Sequence, residues 1–215
     1  MKISVLIPAK NEPRLVDLVE QVNSILKGYD HEIIIIDKSN ETPVVSGANV
    51  INQERDGLGN AVLEGVKAAK GDVLVTMDGD FSHDPKDIPK LLEKAGMYDV
   101  VIGSRFVEGG KTLDTTHRKL ISEIVRKLIS IILGLDVKDN MSGFCAVKRK
   151  VYDEIKLHPI GYKINMEILY KAKKFGYKYT EVPISFQKRQ EGKSKASLLE
   201  PFRILIYSLR LKIGL

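Results

Sequence analysis

The first hundred residues alternate between short apolar runs and segments with helical spacing. Continuous apolar runs of this kind are typical of strands that are buried on both faces of a sheet. The runs lie at 3–8, 31–39, 48–53, 72–78 and 98–105, and the helical segments lie at 14–26, 57–69 and 85–96. The alternation predicts an α/β fold with an open, mostly parallel sheet and helices on both faces.

The second half of the chain is less regular. Helical spacing recurs at 115–135, 164–176 and 197–215, a turn leads into a short strand at 141–149, and another strand is predicted at 178–186. The helices at 115–135 and 197–215 are amphipathic. Because no repeat or long linker interrupts the sequence, residues 1–215 are interpreted as a single domain.

Composition excludes several classes of protein. The 215 residues are 43% hydrophobic and 29% charged, which is ordinary for a globular domain and argues against disorder. The single cysteine, Cys145, excludes an intrachain disulfide and indicates a reducing compartment. The longest uncharged run near the middle, 128–135, is far shorter than the roughly 20 apolar residues of a spanning helix, so no transmembrane segment is predicted.

Charged residues or glycines follow every predicted strand of the first half. These segments lie at 8–12, 37–39, 55–59, 78–80 and 103–105. In an open parallel sheet the carboxyl ends of the strands meet at one edge, and ligands bind there. The sequence therefore predicts a ligand site that is built from acidic residues and arginines at this edge.

The stretch VTMDGDFSHDP, residues 75–85, ends a buried strand with two carboxylates. Asp78 and Asp80 are two residues apart, so they share a face of an extended segment, and Gly79 permits a bend between them. Oxygen ligands at this spacing suit Mg²⁺ or Mn²⁺, which keep open positions for substrate phosphates. The alternative is a pair of solvated acids in a loop.

The net charge of +6 is concentrated near the carboxyl end, where residues 183–215 contain seven Lys or Arg and two Glu. This excess indicates an anionic partner, which could be a nucleic acid, a phosphate-bearing ligand or a membrane surface. Aromatic residues are not interleaved with these charges, so nucleic-acid binding is not expected. No Walker A motif is present, and Gly57-Leu58-Gly59 is a weak glycine signal.

Cations occur at three further places that suit phosphate binding. Arg105 follows a strand, Arg118 and Ser122 lie one turn apart on the helix 115–135, and Arg189 and Lys195 lie in the segment RQEGKSK. Surface salt bridges are the alternative for each of them.

Ten motifs in this order resemble the dolichyl-phosphate mannose synthases, which are family-2 glycosyltransferases with the A-type nucleotide-sugar-binding fold. The resemblance extends from residue 1 to about residue 195. The motifs are PAKNE, IIIID, RDGLGNA, DGDFSHDP, IGSRFVEGG, RKLIS, SGFCAVKR, GYKINMEIL, EVPISF and RQEGKSK.

The resemblance implies a role for particular residues. The nucleoside would be held by Pro8, Ala9, Glu12, Ile36 and Asp37. The ribose, the metal and the diphosphate would be met by Asp78, Gly79 and Asp80. Other contacts to the nucleotide sugar would come from Arg105, Arg189 and Lys195, and contacts to the acceptor phosphate from Arg118 and Ser122. The catalytic residues would be Asp80, Arg118 and Arg189.

The chain departs from the family pattern at three points. Lys38 stands where the family usually has a second aspartate, which concerns base recognition. Ser82 stands where a glutamine often serves as a third metal ligand beside Asp78 and Asp80, so a hydroxyl or a water would replace it. Some relatives continue into transmembrane helices, whereas this sequence ends at Leu215.

The reaction that the resemblance implies is an inverting, metal-dependent transfer of mannose from GDP-mannose to dolichyl or another polyprenyl phosphate. The nucleophile would be a phosphate oxygen that is already ionised, so no general base is required. Catalysis would consist of positioning and of electrostatic stabilisation of the leaving diphosphate by a divalent cation, arginines and Lys195.

A membrane-embedded acceptor would account for the helices 115–135 and 197–215. They are expected either to lie in the interface at the cytoplasmic face of a membrane or, for the second, to dock on a separate membrane subunit. Packing on the sheet alone is the other interpretation. Two alternatives for function remain open: a donor such as UDP-glucose, and a noncatalytic protein that binds a nucleotide sugar.

Overall fold

The computed structural model describes residues 1–113, 116–158, 164–187 and 200–214, and at 116–121 and 200–201 it describes the backbone. The strands, in chain order, are β1 (Ile3–Ala9), β2 (His31–Asp37), β3 (Asn49–Asn52), β4 (Val73–Thr76), β5 (Val100–Ser104), β6 (Lys111–Thr112), β7 (Cys145–Lys148), β8 (Tyr179–Pro183) and β9 (Ser185–Phe186). The helices are α1 (Leu15–Ile25), α2 (Leu58–Ala68), α3 (Ile88–Ala95), α4 (Thr116–Leu133), α5 (Arg149–Glu154), α6 (Ile164–Lys174) and α7 (Glu200–Ile213).

Seven strands form one sheet in the order β3-β2-β1-β4-β7-β5-β8. Strand β7 runs antiparallel to both of its neighbours, and the other pairs are parallel. Strands β1 to β5 therefore all point the same way, and their carboxyl ends lie at one edge. The predicted open, mostly parallel α/β sheet is confirmed.

Alternating side chains of the strands are buried beneath helices on the two faces. On β1, Ile3, Val5 and Ile7 join a core with residues of α1 and α3, whereas Leu6 joins a second core with Ala61 of α2. A third core packs residues of β5 and β7 against α4, α6 and α7. Because successive residues of a strand face opposite sides, each strand supplies two cores.

The second half differs from the predicted pattern in detail. The single strand expected at 178–186 is two strands, because the chain leaves the main sheet at Ile184 and β9 pairs with β6 instead. The helix expected at 85–96 begins with a short 3-10 turn, Pro85–Asp87, that the side chain of Asp84 caps. The sequence predicted neither β6 nor α5.

Along the described parts of the chain, every helix is too short or too polar to cross a bilayer.

Candidate active site

The loop after β4 carries the two carboxylates that the sequence singled out. The backbone N–H of Ser82 donates to Oδ1 of Asp80 at 3.0 Å, and the hydroxyl of Ser82 lies 3.5 Å from Oδ2 of Asp78. Asp80 and Ser82 are buried, whereas the side chain of Asp78 is about a third exposed. The loop therefore brings two carboxylates and a hydroxyl together at the carboxyl edge of the sheet.

His83 supports this loop through its backbone, a role that the sequence did not predict. Its Nδ1 accepts a hydrogen bond from the backbone N–H of Asp78 at 3.0 Å, so the neutral ring carries its proton on Nε2. The ring stacks on Phe144 at 5.0 Å and meets the edge of Phe186 at 5.5 Å. Burial lowers the pKa of His83, which keeps the ring uncharged at neutral pH.

Two loops of the site contain backbone that is strained. Phe81, between Asp80 and Ser82, has φ = 61°, and Asn11, after β1, has φ = 55°. Among the described residues, these are the non-glycine residues with positive φ. Left-handed backbone costs about 1–3 kcal/mol for such residues and is retained where the surroundings require it. Both instances lie in loops at the carboxyl edge.

A network of hydrogen bonds joins the ends of β1 and β2. Ser39 donates from its hydroxyl to Oδ1 of Asp37 at 2.7 Å and from its backbone N–H to Oδ2 at 3.0 Å. The same hydroxyl accepts from the backbone N–H of Asn11 at 2.7 Å. The buried Asp37 carboxylate thus shapes the two loops that follow these strands.

A cavity of about 430 Å³ lies between these two loops, and Asn11, Glu12, Leu15, Ser39 and Glu41 line it with others. This volume is in the range of small-molecule pockets.

The other residues expected at the nucleoside lie around this pair of strands. Pro8 pairs with Ile36 and Ala9 pairs with Asp37 in the sheet. The side chain of Ile36 is fully buried in the core under α2, so its contact with a ligand would come from the backbone.

Lys38, the departure from the family pattern, points along the edge toward β3. Its Nζ donates to the carbonyl oxygens of Gln53 at 3.2 Å and Glu54 at 3.3 Å, and it lies 3.2 Å from Oδ1 of Asp56. The lysine therefore ties the end of β2 to the loop before α2.

Arg105 follows β5 and is held by a buried acid. Its Nε and Nη2 donate to Oδ2 and Oδ1 of Asp139 at 2.8 and 2.9 Å. The guanidinium carbon lies 5.1 Å from the ring centroids of Phe106 and of Phe186. Phe186 also contacts His83, so one aromatic ring separates this arginine from the histidine beneath Asp78.

The remaining predicted residues are only partly described. Arg118 lies on α4, its side chain is outside the description, and Ser122 is half-buried on the same helix. Arg189 and Lys195 lie outside the described residues. The backbone N–H of Gln187, just before that segment, donates to the carbonyl oxygen of Ser82 at 2.8 Å. Gln187, which is the last described residue before Arg189, therefore lies at the carboxylate loop.

The residues after β4 fit a hard divalent cation. The loop offers oxygen atoms only, from Asp78, Asp80 and Ser82, and such donors suit Mg²⁺ or Mn²⁺. Gly143 lies opposite, and a Cβ there would stand 3.5 Å from Oδ1 of Asp78, so the glycine leaves this oxygen accessible. No group of three acidic, histidine or cysteine side chains that could hold a metal occurs in the described part of the chain.

Solved structures with the same fold contain a nucleotide and a metal. Glucosyl-3-phosphoglycerate synthase from Mycobacterium tuberculosis, in complex with Mn²⁺, UDP and glucosyl-3-phosphoglycerate, is 23% identical with a TM-score of 0.77, over 100% of this chain and 80% of that chain. A complex of the same synthase with Mg²⁺ and UDP is 22% identical with a TM-score of 0.77 and the same coverage. The chain therefore has the A-type fold of these glycosyltransferases.

Residues 4–156 match Glycosyl transferase family 2, and the chain belongs to that family. A dolichol-phosphate mannosyltransferase of Pyrococcus furiosus is 40% identical over 98% of this chain and 64% of its own length. An undecaprenyl-phosphate mannosyltransferase of Micrococcus luteus is 39% identical over 66% of this chain and 62% of its own length. A polyprenol monophosphomannose synthase of Mycolicibacterium smegmatis is 36% identical, with 66% and 56% covered. The chain thus spans less than two thirds of the length of these relatives.

Proposed function

We propose that this chain transfers mannose from GDP-mannose to a polyprenyl phosphate, such as dolichyl phosphate, with inversion at the sugar. The observation that carries the proposal is the 40% identity, over 98% of this chain, to a dolichol-phosphate mannosyltransferase. The site is consistent with such a reaction. One edge of the sheet combines the loop of Asp78 and Asp80, a cavity of about 430 Å³, and Arg105, which is paired with the buried Asp139.

The donor would occupy the ends of β1, β2 and β4. Its nucleoside would lie in the cavity beside Glu12 and Ser39, and its diphosphate would face Asp78 and Asp80. A divalent cation held by Asp78, Asp80 and Ser82 would neutralise charge on the diphosphate. Arg189 and Lys195, in the segment that follows Gln187, would add further positive charge for the leaving group.

The acceptor phosphate would lie near Arg118 and Ser122, and Arg105, which the resemblance assigns to the nucleotide sugar, would lie between the two substrates. The oxygen of the acceptor phosphate is ionised at neutral pH, so the site needs cations that align the nucleophile rather than a base that deprotonates it. His83 is unsuited to act as that base through Nδ1, because this nitrogen accepts from the backbone of Asp78. Asp139 already orients the guanidinium group of Arg105 in the absence of a ligand.

The surface of α4 and α7 suits a lipid interface. The two helices pack against each other and expose large apolar side chains. These residues are Ile124, Leu128 and Ile131 of α4 and Phe202, Ile206, Leu209 and Ile213 of α7. Basic residues Arg203, Arg210 and Lys212 accompany them on α7. We place this surface at the cytoplasmic face of a membrane, where the tail of the acceptor would be anchored; docking on a separate membrane subunit is the alternative.

A UDP-sugar is an alternative donor that the solved structures suggest. Glucosyl-3-phosphoglycerate synthase, which shares the fold, was crystallised with UDP and UDP-glucose. Lys38 also stands where the family usually has a second aspartate, at a position that concerns recognition of the nucleotide base. A UDP-sugar is therefore the competing donor.

The test is transfer by the purified chain in detergent with Mn²⁺, a polyprenyl phosphate and radiolabelled GDP-mannose or UDP-glucose. We expect a mannosylated lipid from GDP-mannose alone. Transfer only from UDP-glucose would replace the donor. Binding of GDP without any lipid product from either donor would favour a noncatalytic nucleotide-sugar-binding protein.

A further inference from the structure

Asn165, the second residue of α6, is a buried amide that none of the preceding assignments uses. Its Nδ2 donates to the carbonyl oxygen of Ser142 at 2.8 Å, and its Oδ1 accepts from the thiol of Cys145 at 3.6 Å. A buried amide is costly unless it is hydrogen-bonded, and here a donor and an acceptor of one side chain are both engaged. Asn165 therefore ties the chain on either side of Gly143 to α6.

Residues 142–144, which we call the glycine segment, are also held by β4. Thr76, the last residue of β4, donates from its hydroxyl to the carbonyl oxygen of Gly143 at 3.2 Å. Within the segment, the backbone N–H of Phe144 donates to the hydroxyl of Ser142 at 3.3 Å. The glycine segment is thus hydrogen-bonded both to Asn165 and to a residue two positions before Asp78.

The glycine segment packs against the loop that carries Asp78. A Cβ at Gly143 would stand 3.3 Å from Cε1 of His83 and 3.5 Å from Oδ1 of Asp78. The ring of Phe144 stacks on the ring of His83, whose Nδ1 accepts from the backbone N–H of Asp78. Because protein interiors are close-packed, a shift of this segment would move the imidazole and change the space beside the carboxylate.

We propose that Asn165 is a positioning residue for Asp78, which acts through the glycine segment and His83. The two hydrogen bonds of Asn165 fix the segment, and the segment fixes the imidazole and the clearance beside Oδ1 of Asp78. The consequence for metal binding rests on the proposed function, in which this carboxylate is a ligand of the divalent cation. Helix α6 thus supports the site through a residue that would touch neither the substrates nor the metal.

The first experiment measures hydrogen exchange of backbone amides by NMR in the chain without metal or nucleotide. Asn165→Leu keeps a similar volume and removes both hydrogen bonds. We expect the N–H of Asp78 to exchange about tenfold faster relative to the N–H of Leu26, which corresponds to the loss of roughly one hydrogen bond. Leu26 is the reference, because it is fully buried and its N–H donates to Val22 at the end of α1 remote from the cavity.

Ser4→Ala is the matched control. Ser4 is also buried, and its hydroxyl donates to Glu32 at 2.6 Å and accepts from the backbone N–H of Gly71 at 2.8 Å, but it lies near the amino end of β1. In this variant the amides of Asp78 and Leu26 should change their exchange rates in proportion. Proportional changes in Asn165→Leu as well would mean general destabilisation and would overturn the proposal.

Asn165→Ala covers the case in which Asn165→Leu does not fold. It removes the same two hydrogen bonds without adding apolar bulk, so the selective increase in exchange at Asp78 should be similar. An N–H of Asp78 that keeps its rate relative to Leu26 in Asn165→Ala would contradict the proposal.

The second experiment measures the affinity for Mn²⁺ from the paramagnetic resonance signal of the free ion. Replacement of Asn165 by leucine or alanine should weaken Mn²⁺ binding about tenfold, as is usual for groups that orient metal ligands, and Ser4→Ala should leave it unchanged. Equal Mn²⁺ affinities in the Asn165 variants and the unaltered chain would overturn the proposal. A chain in which exchange at Asp78 depends on Asn165 but which binds no Mn²⁺ would refute the metal site of the proposed function and leave the positioning role standing.

Discussion

The backbone N–H of Asp78 donates a hydrogen bond to Nδ1 of His83 at 3.0 Å. The imidazole is buried between Phe144 and Phe186, so it has little freedom to move. The backbone of Asp78, which carries the first carboxylate of the loop, is therefore fixed by a rigid acceptor five residues further along the chain. This support acts on the backbone that presents Asp78.

Replacement of His83 separates its hydrogen bond from its volume. His83→Leu fills a similar space but leaves the N–H of Asp78 without its acceptor, so we expect a loss of about 1–3 kcal/mol in the free energy of unfolding. The carboxylate should also be less well placed, and Mn²⁺-dependent GDP binding should weaken. Urea unfolding and calorimetry measure the two effects.

His83→Asn is the matched variant, because its side-chain oxygen can take the place of Nδ1. It should retain more GDP binding than His83→Leu at comparable stability. Equal GDP affinities in the two variants would show that the hydrogen bond to Asp78 does not position the loop.

Asp139 is the partner of Arg105, and removal of its charge should be costly. Asp139→Asn removes the charge of the carboxylate to which a largely buried guanidinium donates twice, and breaking a buried ion pair costs about 3–5 kcal/mol. We expect a corresponding drop in urea stability. Asp17→Asn is the control: Asp17 pairs with Arg14 on the surface, and exposed pairs contribute about 0–1 kcal/mol. A similar small effect for both variants would contradict the role given to Asp139.

The sequence predicted the parts of the site that depend on local pattern. Strand ends at Asp37, Asp78 and Arg105 were recognisable, because an apolar run followed by a charge marks where a buried strand meets solvent. The parallel order of the strands then places these residues at one edge without any knowledge of side-chain contacts.

The supporting residues could not be predicted in the same way. The bond between Arg105 and Asp139 spans 34 residues, and the stacking of Arg126 on Phe106 depends on how α4 packs on the sheet. His83 stood inside the quoted motif, but its role requires the turn at Phe81, whose positive φ no spacing rule indicates. The only signal for it was a histidine next to two acids.

The proposed metal site predicts a selective loss of nucleotide binding. Asp80→Asn removes one of the proposed charged oxygen ligands, so GDP should bind with the same weak affinity with or without Mn²⁺. Chelation by EDTA should reduce the unaltered chain to that level. Asp84→Asn is the control in the same stretch, because Asp84 caps the turn at Pro85–Asp87 and an asparagine can replace it there. Metal-dependent GDP binding that survives in Asp80→Asn would contradict the assignment.

Cys145 should react slowly with thiol reagents in the folded chain. Burial raises the pKa of its thiol to about 11, from an ordinary value of 9.0. At pH 8, about one thiol in a thousand would be ionised in the folded state, against about one in ten in the unfolded chain, and the thiolate is the reactive form. The thiol should therefore react with a disulfide reagent at pH 8 only slowly until urea unfolds the protein.

The raised pKa of Cys145 also makes the stability depend on pH. Between pH 9 and pH 11 the unfolded chain loses this proton first, so the free energy of unfolding should fall as pH rises. Cys145→Ala should remove that contribution, and a pH dependence that is unchanged in this variant would show that other groups produce it.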